Sequence, residues 1–182
     1  MARTTFQGPV RSMAGMYTQG PGSIVTITSS TSLTPADHGG RIISVGGSLA
    51  AAVTLTLPTI VTTANPSSSG PGQDPNTLNN QGVVYTIWVP TTISTSSLKI
   101  GTTSGSSDLF LGTIFGVDTD TSNALVAYTA NGSSNDFINF NGGTTGGVAG
   151  TWVQIFALAA NKYMVNGIAL GTGTVATPFA DS

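Results

Sequence analysis

Val53-Thr54-Leu55-Thr56-Leu57, closed by Pro58, decides the fold. Its period is two. Val53, Leu55 and Leu57 point to one side and Thr54 and Thr56 to the other, the pattern of a strand with one buried face. Proline ends it because it brings no N–H to a ladder. The same reading extends in both directions. Upstream lie Ile24–Thr28 and Arg41–Val45, separated by the turn-rich run Thr34–Gly40. Downstream, Val83-Val84-Tyr85-Thr86-Ile87-Trp88-Val89 is the strongest strand in the chain. It is followed by segments at 97–100, 109–115, 124–130 and 136–140. Thr151–Leu158 and Lys162–Val165 read as a hairpin about Ala159-Ala160-Asn161, and Asn-Gly pairs at 131–132, 141–142 and 166–167 read as turns.

The expected fold is therefore all-β: a β-sandwich, a jelly-roll-like domain or a small barrel, with an extended N-terminal arm. Residues 1–22 form the arm and 23–182 a single β-domain. That domain carries a long Pro/Gly/Ser loop at about 62–82. The one helix candidate is Leu49–Ala52, too short to matter. The arm holds isolated bulky residues among glycines and prolines. Leaving these in water is costly, so residues 1–22 read either as a disordered leader or as an arm that anchors Phe6, Met13 and Tyr17 on a neighbour.

Composition narrows the function. The 182 residues include no glutamate, no cysteine and a single histidine, His38, and only 7% are charged. Acid–base, thiol and multi-histidine metal chemistry have little material here. No catalytic residue, metal ligand or cofactor is assigned, and the chain is not expected to be an enzyme. The five basic residues (Arg3, Arg11, Arg41, Lys99, Lys162) are scattered, unlike a nucleic-acid face. No apolar run reaches the length of a membrane helix, and no secretory signal pattern is present. Synthesis in the cytoplasm followed by assembly is the expectation.

The remaining candidates read as structural. Asp37-His38 is expected to pin a turn through a hydrogen bond from His38. Asp118-Thr119-Asp120 reads as loop polarity rather than a cation site, and Asp108 and Asp136 are isolated in sequence. Asn131-Gly132-Ser133 matches the glycosylation pattern by chance. Trp88 and Trp152 suit core packing or a subunit contact better than a sugar-stacking platform, which would need Asp and Asn beside exposed rings. Threonine-rich strand faces give a stiff, neutral surface, suited to a permanent assembly whose sheet edges are covered.

Both ends of the chain carry a resemblance. Thr5-Phe6-Gln7-Gly8-Pro9-Val10-Arg11 and Gly15 resemble the opening of small structural proteins of tailed bacteriophages, of the cyanophage and marine-phage type. Gly150–Ile155, Lys162–Gly167, Gly171-Thr172-Gly173 and Thr177-Pro178-Phe179 resemble their endings, with Tyr163 where tryptophan is common. Asp37–Ile43 and Thr56-Leu57-Pro58 resemble recurrent elements between. The resemblance implies a head decoration (cement) protein, expected as a homotrimer on the outer surface of the capsid and bound to the major capsid protein. In a capsid-binding protein of this kind Val10 and Arg11 join Phe6, Met13 and Tyr17 as contacts of the arm. Trp88, Trp152, Tyr163 and Phe179 are the candidates for subunit interface or core. A structural or receptor-binding subunit of the tail or tail fibre is the alternative, although no repeat of 20–50 residues is visible.

Overall fold

The computed structural model describes residues 20–49, 51–63, 75–120 and 124–181. The expected contacts at Phe6, Val10, Arg11, Met13 and Tyr17, and the middle of the 62–82 loop, lie outside the described residues. Twelve strands are described: β1 (Ile24–Thr26), β2 (Thr31–Ser32), β3 (Ile42–Ser44), β4 (Val53–Thr56), β5 (Val84–Trp88), β6 (Leu98–Gly101), β7 (Leu109–Asp118), β8 (Leu125–Asn131), β9 (Phe137–Phe140), β10 (Trp152–Ala159), β11 (Lys162–Gly171) and β12 (Phe179–Ala180). They form an all-β sandwich. One sheet has seven strands in the order β1-β3-β5-β10-β11-β7-β8, and the other five in the order β12-β9-β6-β4-β2.

The winding is set by strand order, which the alternation within each strand does not encode. Up to β7 the chain changes sheet at every strand. As a result β1, β3 and β5 lie side by side and parallel in the large sheet, and β2, β4 and β6 do the same in the small one. Parallel neighbours require a crossover, commonly a helix laid over one face. Here each crossover is a strand of the opposite sheet, so three two-strand coils stack and close the core between them. Of the later strands, β7–β8 and β10–β11 are hairpins of the large sheet, while β9 and β12 join the small sheet singly, β9 against β6 and β12 against β9. The β10–β11 hairpin inserts between β5 and β7, antiparallel to β5 and, through β11, parallel to β7.

Alternation does the packing. Ile43, Tyr85, Ile87, Phe110, Ile155 and Tyr163 of the large sheet meet Leu55, Leu98, Ile100, Ile138 and Phe140 of the small one, all buried. Val53, Leu55 and Leu57 are buried while Thr54 and Thr56 are half-buried, as their alternation predicts. Tyr163 and Phe179 are buried in this core.

Local readings divide. Asn131 and Asn141 build the same loop twice, one at each end of β9. Each side-chain oxygen accepts from backbone N–H groups two and four residues on, each amide donates to a hydroxyl three residues on, and Gly132 and Gly142 take positive φ. Asn166-Gly167 is not a turn: it lies within β11, where a Cβ on Gly167 would come 2.3 Å from the Trp152 carbonyl oxygen. Close backbone approach, not positive φ, requires that glycine. No helix forms at Leu49–Ala52 among its described residues. The short helix α1 is instead Pro35–His38, capped by Thr34 with proline at its first position. The described end of the 62–82 loop holds a 3-10 turn at Pro75–Thr77, and Asn76 Oδ1 there accepts from Ala36 N at 3.1 Å.

Candidate functional surface

The charged residues singled out in the sequence serve the fold. His38 is buried, and its Nδ1 accepts from Thr34 N at 2.9 Å. The histidine does pin the turn, but by accepting a hydrogen bond rather than donating one. Asp37 N donates to Thr34 Oγ1, completing the cap. Asp118 is buried at the end of β7 and accepts from Asp120 N, so it is not loop polarity, while Asp120 Oδ2 accepts from Gly173 N at 2.7 Å. Asn131 is committed to its loop. Among the described residues no three His, Cys, Asp or Glu side chains gather as a metal site, and no helix is long and apolar enough to cross a membrane.

One internal cluster is polar. Asp108 is buried, with Oδ2 accepting from Ile60 N at 3.2 Å and Oδ1 without a partner. Burial holds its carboxyl above the usual carboxylate range, against the lowering effect of that backbone bond and of Ser106. Tyr163 Oη donates to the Pro58 carbonyl. Burial, with Tyr85 and Asp108 nearby, pushes the Tyr163 phenol far up, and burial alone does so for Tyr85. Both tyrosines are therefore neutral, and the cluster fastens residues 58–61 to the large sheet.

The surface that stands out is the outer face of the seven-stranded sheet. Register places side chains in rows across it. One row runs Trp88, Trp152, Ile168, Phe115, Ala127 through β5, β10, β11, β7 and β8. A second runs Val84, Phe156, Met164, Leu111, and between them lies a neutral polar row of Thr86, Gln154, Asn166, Thr113 and Thr129. Thr113 and Thr129 hydroxyls meet at 3.1 Å across β7 and β8. The outward positions of these strands include no carboxylate and one cation, Lys162, whose Nζ is held by the Gly132 carbonyl at 2.7 Å. Exposed on this face are Ile24 (47%), Ile42 (40%), Trp88 (37%), Phe115 (45%) and Leu125 (67%).

The opposite face of the sandwich is built differently. The five-stranded sheet turns Ser32, Thr54, Thr56, Lys99 and Asn139 outward, with the Lys99 ammonium 5.3 Å from the centre of the Phe137 ring. Ser32 and Lys99 are exposed there and Thr54, Thr56 and Asn139 are half-buried, so the outward positions are polar. Contiguous exposed apolar surface on only one side marks a surface that meets something else.

Trp88 and Trp152 stand directly opposite each other on β5 and β10. With Ile24, Ile42 and Thr86 they line an open hollow of about 310 Å³. Among the described residues its lining includes Thr86 but no Asp or Asn. Of the sequence candidates, Trp88 and Trp152 thus come together on the surface, while Tyr163 and Phe179 do not join them. Ile24, Ile42, Phe115, Phe156 and Ile168 were missed. The signal for several of them was legible: Leu109–Phe115 and Trp152–Leu158 are apolar at both parities, and a strand apolar on both sides is covered on both sides.

No protein-family model matches the chain, no curated protein matches it, and no solved structure matches it.

Proposed function

We propose that this chain is a virion structural subunit, a head decoration (cement) protein. In this reading it binds the outer surface of a tailed-phage capsid as a homotrimer and stabilises contacts between capsomers of the major capsid protein. The observation that carries the reading is the outer face of the seven-stranded sheet, broad, apolar and without a carboxylate. Such a face suits permanent packing in an assembly, since no ion must be desolvated when it is covered. The chain's role is mechanical and not catalytic. Residues 1–22 form the capsid-reaching arm, with Phe6, Val10, Arg11, Met13 and Tyr17 as its contacts. Three weak arms on one trimer make release slow, and binding restricted to the mature shell stabilises that shell by mass action.

The test is co-sedimentation of the protein with expanded, undecorated heads of the phage that carries it. Wild-type protein is expected to saturate the heads, and a Phe6→Ser/Tyr17→Ser variant to lose occupancy while staying folded. Full occupancy by the variant would remove the arm from the mechanism, and no binding by the wild type would remove the capsid.

The three stacked coils favour a second reading, a tail or tail-fibre subunit, because elongated fibres are built by stacking such units. Cryo-electron microscopy of the particle separates the two by where density for this domain lies.

A further inference from the structure

We infer that the outer face of the seven-stranded sheet is where copies of this chain meet: its occupant is a second copy. The inference rests on the assembly part of the preceding reading, that copies associate, and not on the capsid or on threefold symmetry, since a face packed on its own copy joins chains two at a time.

Size supports it. Seven strands at the usual spacing span about 29 Å, and the ten-residue strands β7 and β11 run about 33 Å. Because β1 and β3 at one edge have only 3 residues each, the face covers on the order of 600–800 Å². That is the area each partner contributes to a stable protein–protein interface. A hollow beside Trp88 and Trp152 and the projecting Phe115 ring at the other end of the same row supply a pocket and an anchor.

Charge points to self rather than to a foreign protein. Recognition of a different partner usually draws on complementary charge to steer encounter and reject competitors. This face holds one cation, already engaged, and nothing negative. Packed on another copy of itself it brings neutral polar rows and apolar rows together with no like-charge penalty beyond Lys162. The chain's low net charge of −2 offers little repulsion to oppose the contact. The edge strand β8 continues the face without charge or proline: Leu125-Val126-Ala127-Tyr128-Thr129-Ala130-Asn131 has no described strand on its outer side. Its own residues carry neither the charge nor the proline that commonly keeps an edge monomeric.

The test is sedimentation equilibrium of the full chain without capsid, alongside Trp88→Lys/Phe115→Lys and the milder Trp88→Ser/Phe115→Ser, with Thr54→Lys on the opposite face as control. The wild type and Thr54→Lys should be oligomers. The lysine pair should raise the dissociation constant at least about 100-fold and the serine pair less, with circular dichroism unchanged. If the lysine pair fails to fold, the serine pair alone decides. An oligomer indifferent to these variants would place the contact elsewhere and overturn the inference. So would a monomeric wild type. If its tryptophans were then shielded from a soluble quencher, the chain's own first nineteen residues would occupy the face; if open, a foreign protein would. Self-association without capsid binding would leave this inference standing and remove the cement reading alone.

Discussion

Tyr85 and Tyr163 lie on the same inner face, both fully buried, and only one of their hydroxyls is satisfied. Tyr163 donates to the Pro58 carbonyl, whereas the Tyr85 oxygen has no hydrogen-bond partner among the described residues. The same substitution should therefore act in opposite directions. Tyr163→Phe leaves a carbonyl bare and should cost about 1–2 kcal/mol. Tyr85→Phe removes an unpaired buried hydroxyl and should be neutral or stabilising by up to about 1 kcal/mol. Urea denaturation of the two variants checks the sign; equal losses would show that Tyr85 is satisfied after all.

Asp108 makes stability depend on pH in a direction unusual for a carboxylate. Its folded pKa is raised by burial, so the folded state holds the proton more tightly than the unfolded chain. The resulting stabilisation is complete below the unfolded carboxyl value, near 4, and is lost as pH rises through the folded value. Asp108→Asn keeps an acceptor for Ile60 N and removes the charge. It should flatten the decline and be the more stable protein near neutrality, by on the order of 1 kcal/mol. Denaturation midpoints between pH 4 and 8 measure both, and parallel curves for the two proteins would contradict the assignment.

Gly112 and Gly105 both take positive φ, at +111° and +78°, in opposite surroundings. A Cβ on Gly112 would stand 2.1 Å from the Val165 carbonyl oxygen of β11, whereas one on Gly105 meets nothing within 4 Å. Gly105→Ala should cost only the backbone strain, about 1–2 kcal/mol. Gly112→Ala adds a clash with a neighbouring strand and should cost distinctly more, at least about 3 kcal/mol. Thermal unfolding of the pair gives the comparison, and equal losses would mean that β7 and β11 part easily.

Thr34 closes α1 by accepting from Asp37 N and donating to Asp37 Oδ2, at 3.2 and 3.0 Å. Thr34→Ala should cost about 1 kcal/mol, and Thr34→Ser should recover most of it. Failure of serine to rescue would assign the effect to the threonine methyl instead of the cap.

Much of the fold was legible because alternation is local. Val53–Leu57 and Val83–Val89 state their buried faces in their own residues, and the Asn131-Gly132 and Asn141-Gly142 turns follow from which residues tolerate positive φ. Thr34-Pro35-Ala36-Asp37, which reads as part of a turn-rich run, also has the threonine cap and first-position proline of a helix start. Strand order was not legible. Nothing in Ile42 or Ile100 says that its neighbour is parallel, since pairing is set by how segments far apart in sequence fill a shared core. Gly167 misled for a related reason: its requirement comes from Trp152 on the adjacent strand. Of the candidate surface, Trp88 and Trp152 were visible as large side chains, but their direct opposition depends on a register that no single segment encodes.

The insertion of the β10–β11 hairpin between β5 and β7 has a consequence for synthesis. Both flanking strands are synthesised before residues 152–171, so each has one edge unfilled until the hairpin arrives, and the two must not close on each other in the interval. The main sheet is completed from its middle, late and in one step. Until then the nascent chain presents two open apolar edges to whatever is nearby, including other copies of itself.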